Sequence, residues 1–118
     1  MDKEAAEHFR DSPLWQKAHR FVLAVYNFTD YFPAKEVYGL TSQFRRAAAS
    51  IPVSISECLA RETEEARSVG AARRLIQECR YYLILAKDLG YGDNPELAPQ
   101  LEEVSRMLEE YGARTLNF

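Results

Sequence analysis

The sequence predicts an all-α protein, an antiparallel up-down-up-down four-helix bundle. Apolar residues recur at steps of three and four in four separate stretches, which is the period of amphipathic helices. Proline or glycine stands near the boundaries of these stretches, and no stretch shows the alternation of a strand. Four helices joined by short connections within 118 residues fit one bundle around one core.

The first helix is predicted over residues 13–32, after a frayed segment at residues 1–11. Ser12 is a good N-cap, and Pro13 suits the first helical turn. Because Pro33 disfavours helical geometry in the residue before it, the helix should end at Phe32. The apolar stripe consists of Leu14, Ala18, Phe21, Val25, Phe28 and Phe32.

The second helix, predicted over residues 37–61, is poor in charge on two opposite sides. The apolar stripe consists of Leu40, Phe44, Ala47, Ile51, Ile55 and Cys58. The opposite side consists of Ser42, Arg46, Ala49, Val53, Ser56 and Ala60. A helix with so few charges is usually buried on more than one side. We therefore predict that the second of these sides is an interface between subunits of a homo-oligomer.

Two local features of the second helix call for a structural interpretation. Pro52 lacks an N–H and crowds the carbonyl of Ala48, so we expect a kink, with nearby serines satisfying loosened backbone groups. Glu57 and Arg61 are four residues apart in the order that favours an ion pair. We predict that they form a structural pair.

The third helix is predicted over residues 64–89. Thr63 is the expected N-cap, and Gly90 is typical of the position just after a helix. The core side consists of Ala72, Leu75, Ile76, Cys79, Leu83 and Ala86.

The fourth helix is predicted over residues 95–111, opened by Asn94 and Pro95. It completes a bundle over residues 12–111, and residues 112–118 form a tail without an assigned structure. The apolar stripe consists of Leu97, Leu101, Val104, Leu108 and Tyr111.

Composition favours an ordinary globular protein. The chain is 47% hydrophobic and 28% charged, with a formal net charge of −3, whereas nucleic-acid-binding domains are usually strongly basic. The N-terminal residues lack the apolar segment of a signal peptide, and no apolar run approaches the length of a membrane span. We therefore expect a cytoplasmic protein with no membrane partner.

The sequence shows no pattern that predicts a reaction. His8 and His19 are eleven apart and lack the spacing of a helical metal pair. Cys58 and Cys79 lie within helical patterns and are best interpreted as small core residues. With no nucleophile motif and no glycine-rich phosphate loop, we predict no catalytic residue, no metal site and no cofactor.

A basic stripe on the third helix is the strongest functional candidate. Arg73, Arg80 and Lys87 are spaced by seven, so they share one side of the helix, with Arg74 beside them. Such a stripe could bind the phosphates of RNA or DNA, with Arg45 and Arg46 as further candidates. The alternative, which we favour because the net charge is negative, is that these cations pair with acids such as those of the fourth helix. Tyr81 and Ile84 lie on the outward side of the helix with this stripe. Aromatic residues next to arginines can stack on bases, but we favour their use in a protein interface.

One stretch also carries a family resemblance. The run YGLTSQFRRAAASIPVSISE resembles the signature of the four-helix-bundle family named after proteins encoded in intervening sequences of bacterial 23S ribosomal RNA genes. The resemblance extends over nearly the whole chain, from LWQKAHRF to AKDLGYG. After the proline the family usually continues with Asn-Ile-Ala-Glu-Gly and then Gly-Arg. Positions that match are Ile55, Glu57 and Arg61, and positions that differ are Ser54, Cys58 and Ala60.

The resemblance implies specific partners. Structurally known relatives assemble as pentameric rings, so it implies a homo-pentamer here. A related branch serves as the accessory protein of diversity-generating retroelements, where it binds a reverse transcriptase and nucleic acid. Two hypotheses follow: a non-catalytic oligomeric scaffold, which we favour, and a nucleic-acid-binding accessory protein.

Overall fold

The computed structural model describes residues 8–60 and 65–116, with side chains at all of these except 65–68 and 115–116. In this part of the chain there is no strand, and four helices follow one another. They are α1 (Pro13–Thr29), α2 (Leu40–Ala60), α3 (Glu65–Asp88) and α4 (Leu97–Leu116). Each helix packs against its neighbours in the chain, and α4 closes the bundle against α1. The prediction of an all-α four-helix bundle is confirmed.

The core lies along the bundle axis and is built from one stripe of each helix. Phe21, Phe44, Ile76 and Leu101 represent α1 to α4, and each is at most 1% exposed. The Phe44 ring lies 5.7 Å from the Tyr82 ring, which joins α2 to α3. The apolar periodicity of the sequence therefore identifies the buried sides correctly, because every helix must turn its apolar stripe inward.

The first helix begins as predicted and ends earlier. The Ser12 hydroxyl accepts a hydrogen bond from the Trp15 N–H at 3.4 Å, which confirms the N-cap. The helix stops at Thr29 rather than at residue 32, because the chain tightens there into a three-residue turn. In that turn the Phe32 N–H donates to the Thr29 carbonyl at 3.1 Å. Phe32 nevertheless stays in the core, where its ring lies 5.4 Å from the Tyr91 ring.

The second helix begins at Leu40, three residues later than predicted. A short 3-10 turn, Ala34–Glu36, precedes it. The Glu36 side chain accepts a hydrogen bond from the Leu40 N–H at 3.0 Å, so it caps the first turn of the helix. The predicted N-cap of α3, Thr63, and the predicted partner of Glu57, Arg61, lie outside the described residues.

The third helix ends with the expected glycine. Gly90 has a φ of 76°, a left-handed conformation that favours glycine. The Gly90 N–H donates to the Lys87 carbonyl, and the Tyr91 N–H donates to the Ala86 carbonyl. This pair of bonds is a Schellman motif, and it turns the chain so that Tyr91 lies against the bundle.

The fourth helix is shifted relative to the prediction at both ends. It begins at Leu97 rather than at residue 95, because the Asn94 side chain accepts from the Glu96 N–H at 3.0 Å and holds a turn there. It continues to Leu116, through most of the predicted tail. Gly112 is buried against Val69 of α3, where an added Cβ would lie 3.5 Å from Val69 Cγ1. Packing of this kind outweighs the low helix propensity of glycine.

Candidate interaction surfaces

The predicted interface side of α2 lies on the surface of the chain. All six of its residues are half-buried or exposed, and Val53 is 57% exposed. Arg46 is the one charged residue among them. The members of this side, here called the α2 outer face, are Ser42, Arg46, Ala49, Val53, Ser56 and Ala60.

Serines near Pro52 reduce the polarity of this surface. The Ser56 hydroxyl donates to the Val53 carbonyl at 2.7 Å, and the Ser50 hydroxyl donates to the Arg46 carbonyl at 2.8 Å. Neither hydroxyl donates to the Ala48 carbonyl, which has no helical N–H partner because Pro52 lacks one. Since both hydroxyls are already hydrogen-bonded within the helix, the donors that covering the α2 outer face would desolvate are mainly the Ser42 hydroxyl and the exposed Arg46 guanidinium.

A second apolar surface lies on α3. Tyr81 is 56% exposed and Ile84 is 58% exposed, although neighbours on the same helix such as Cys79 and Ala86 are completely buried. Arg74 lies on the same outward side and is exposed. We call Arg74, Tyr81 and Ile84 the α3 outer face.

The basic stripe of α3 is paired with acids of α4. Arg73 donates two hydrogen bonds to the Glu109 carboxylate, at 2.6 and 2.7 Å. Arg80 donates two to Glu102, both at 2.8 Å, and a third to the Ser105 hydroxyl at 3.1 Å. The guanidinium groups lower the pKa of Glu102 and Glu109, and the carboxylates raise the pKa of Arg73 and Arg80.

Two more of the candidate phosphate-binding cations also have partners. Lys87 Nζ lies 3.7 Å from Asp93. Arg45 bridges α2 to the end of α1, donating to Thr29 Oγ1 at 2.7 Å and to Asp30 at 2.8 Å. Within the described residues, Arg46 and Arg74 are the candidates whose side chains make no hydrogen bond or ion pair.

The histidines and cysteines show no arrangement for chemistry. His19 is exposed and stacks on Trp15 with a ring separation of 5.2 Å. Both cysteines are buried, and burial raises the pKa of the Cys79 thiol to about 12, which makes a thiolate nucleophile unfavourable. Across residues 8–60 and 65–116, no three potential ligands cluster to hold a metal ion.

Sequence reasoning missed one cleft between α1 and α4. Its walls include Lys17 and Arg20 of α1 and Gln100 of α4. The three-residue spacing of the two cations on one side of α1 was the available signal. Whether these two cations line a cleft depends on the residues that α4 places opposite them. The sequence pattern of α1 carries no information about those residues.

Within residues 8–60 and 65–116, no helix combines the length and the apolar character that a membrane-spanning helix needs.

Comparison with known proteins identifies a family. The model of the family described as 23S rRNA-intervening sequence protein matches residues 10–110. This range runs from the short 3-10 helix before α1, His8–Asp11, almost to Tyr111 of α4, so it includes most of the bundle. None of the curated proteins compared with the chain matches it.

Proposed function

Because the chain belongs to the 23S rRNA-intervening sequence protein family, we propose that it is a non-catalytic cytoplasmic protein that self-associates and acts as a binding scaffold. The α2 outer face carries this proposal. Val53 is 57% exposed there, among small side chains that would let another helix approach closely. A surface of this kind gains stability when a second subunit covers it.

The α3 outer face is the complementary surface. Tyr81 and Ile84 are large, exposed apolar side chains, and aromatic residues are enriched in the buried centres of protein interfaces. A contact between the α2 outer face of one subunit and the α3 outer face of the next joins two different surfaces. Contacts of this type form a ring when the rotation from one subunit to the next closes, and an open filament when it does not. The family resemblance implies a ring of five subunits.

The test is the mass of the protein in solution with and without a charge on the α2 outer face. Val53→Glu should convert an oligomer into monomers, because a buried unpaired carboxylate is strongly unfavourable. Val37→Glu is the matched control, since Val37 is 53% exposed but lies in the turn before α2. Light scattering at micromolar concentration measures both variants and the parent chain.

Three results would contradict parts of this proposal. A monomeric parent chain would overturn self-association. A dimer or tetramer would overturn the number five alone. An oligomer that persists in Val53→Glu but dissociates in Val37→Glu would move the interface to the turn before α2.

A second candidate function is a nucleic-acid-binding accessory protein, with a reverse transcriptase as the protein partner that the resemblance implies. Arg46 and Arg74 support it, because each is exposed and makes no ion pair among the described residues. A ring would repeat these two charges and multiply weak phosphate contacts. We place it second because the chain has a net charge of −3 and the basic stripe is paired.

Fluorescence anisotropy with a generic single strand and a generic duplex tests this second candidate. Binding should weaken steeply with added salt, and the double variant Arg46→Gln, Arg74→Gln should weaken it for every sequence. The control, Arg10→Gln with Arg114→Gln, removes the same charge from exposed positions at other sites. No binding at low salt would exclude this function and leave the scaffold.

A further inference from the structure

The cleft between α1 and α4 is used neither by the proposed self-association nor by the basic stripe. It has a volume of about 350 Å³, which lies within the range of small-molecule sites, roughly 300–1,000 Å³. Its lining is formed by Lys17, Arg20, Pro99, Gln100 and Glu103.

The cleft carries more positive charge than negative charge. Lys17 and Arg20 are exposed, and neither makes a hydrogen bond or ion pair with any described residue. Glu103 is the acid of the cleft, and Arg106 holds its carboxylate with hydrogen bonds at 2.6 and 3.2 Å. Arg106 also binds Glu110. Lys17 acts electrostatically on Glu103, whose lowered pKa is caused first by the Arg106 hydrogen bond and in part by Lys17. The three cations, Lys17, Arg20 and Arg106, still outnumber the two acids by one, which leaves a net attraction for an anion.

The Gln100 side chain provides an amide without a partner. Its Oε1 atom is buried and accepts no hydrogen bond from any described residue. Buried polar atoms are nearly always paired, so an unpaired one requires an explanation. The Nε2 group of the same amide also makes no hydrogen bond with a described residue, and Gln100 lines the cleft, so its N–H donors are available to a ligand there.

We propose that this cleft binds the phosphate group of a sugar phosphate, with Lys17 and Arg20 neutralising the phosphate and the Gln100 amide donating to one of its oxygens. The remaining volume accepts the sugar that carries the phosphate. The same chemistry is found in a free nucleotide and in a nucleic-acid backbone, so the test must distinguish these two sources.

The Gln100 side-chain amide is also the reporter, because its N–H₂ signals are visible in a nitrogen–proton correlation spectrum. Inorganic phosphate and adenosine monophosphate are titrated into the intact protein. Adenosine monophosphate should shift these signals, and the double variant Lys17→Gln, Arg20→Gln should weaken its binding at least about tenfold. Arg10→Gln with Arg114→Gln removes the same charge from exposed positions outside the cleft and should leave the affinity unchanged.

Gln100→Leu separates binding from folding. It removes the unpaired amide, so the melting temperature should stay the same or rise, while the affinity for adenosine monophosphate, followed here by the backbone amide signals of the cleft residues, falls. A large fall in melting temperature would instead assign Gln100 a structural role and overturn its part in the site.

A short single-stranded oligonucleotide identifies the source of the phosphate. If it shifts the Gln100 signals at lower concentration than adenosine monophosphate, the ligand is a nucleic-acid backbone; if only the mononucleotide shifts them, the ligand is a free nucleotide. The proposal is overturned if no probe shifts them up to about 10 mM. It is also overturned if the Lys17→Gln, Arg20→Gln variant binds as well as the parent chain.

Discussion

The Tyr91 hydroxyl donates a hydrogen bond of 2.6 Å to the Glu36 carboxylate, across 55 positions of the chain. The other oxygen of that carboxylate accepts the Leu40 N–H at 3.0 Å. One side chain therefore links the turn after α1, the first turn of α2 and the connection between α3 and α4. The Tyr91 bond is the main reason why the pKa of Glu36 is lowered, and the same bond raises the pKa of Tyr91.

Tyr91→Phe should lower the melting temperature modestly at neutral pH, because Glu36 loses its partner on the α3–α4 connection. Tyr31→Phe is the control, since Tyr31 is 84% exposed and its hydroxyl makes no hydrogen bond with a described residue, and its melting temperature should not change. Thermal unfolding followed by circular dichroism measures both. Equal melting temperatures for Tyr91→Phe and the parent chain would show that the link does not stabilise the fold.

Two glycines should respond in opposite directions to substitution by alanine. At Gly39 an added Cβ would lie 2.6 Å from Glu36 Oε1, so the carboxylate must move away from the Leu40 N–H and the melting temperature should fall. At Gly70, inside α3, an added Cβ meets nothing within 4 Å. Gly70→Ala should raise the free energy of unfolding by about 0.5–1 kcal/mol, since alanine is the better helix former. Chemical denaturation of both variants gives the comparison, and stabilisation by Gly39→Ala would contradict the capping role of Glu36.

Adjacent arginines of α2 should differ in their effect on stability. Arg45 donates to Thr29 and Asp30 and lies 4.5 Å from the centre of the Tyr26 ring. Arg45→Met should therefore cost about 1–2 kcal/mol of unfolding free energy. Arg46→Met should stay within about 0.5 kcal/mol in the monomer, as is usual for exposed positions. Urea unfolding distinguishes them, and similar values for the two variants would mean that Arg45 does not hold α1 to α2.

The α3–α4 ion pairs predict a loss of stability in acid. Arg80 lowers the pKa of Glu102, and Arg73 lowers the pKa of Glu109. A carboxylate whose pKa is lower in the folded chain than in the unfolded chain stabilises the fold above its ordinary pKa, about 4.3 for glutamate. That contribution is lost as the pH falls through the lowered pKa of the folded state.

The double variant Glu102→Gln, Glu109→Gln should consequently show a shallower fall of unfolding free energy below the ordinary glutamate pKa. At neutral pH each exposed pair contributes only about 0.2–1 kcal/mol, so the variant should lose little stability there. Glu96→Gln, at an exposed position without an ion pair among the described residues, is the control and should follow the parent curve. Superimposable acid curves for the double variant and the parent chain would refute the role of these pairs.

Local patterns of the sequence were sufficient for the architecture. The period of three and four residues identifies the buried side of each helix, because a helix presents its side chains with that period wherever it lies. Ser12 and Gly90 mark one end of α1 and one end of α3 correctly, since a cap depends on a few neighbouring residues. The run around Pro52 also carried the family resemblance, and the family match over residues 10–110 confirms it.

Contacts between distant residues were decided only by the tertiary structure. Arg73 and Arg80 have the spacing of a phosphate-binding stripe, but Glu109 and Glu102, which lie 36 and 22 positions away, occupy their hydrogen-bonding groups. The length of α4 depends on the packing of Gly112 against Val69, and the cleft depends on Gln100 lying opposite cations of α1. A periodic pattern determines which side of a helix turns inward. Whether the charged residues on its other sides are paired depends on which helix the fold places beside them.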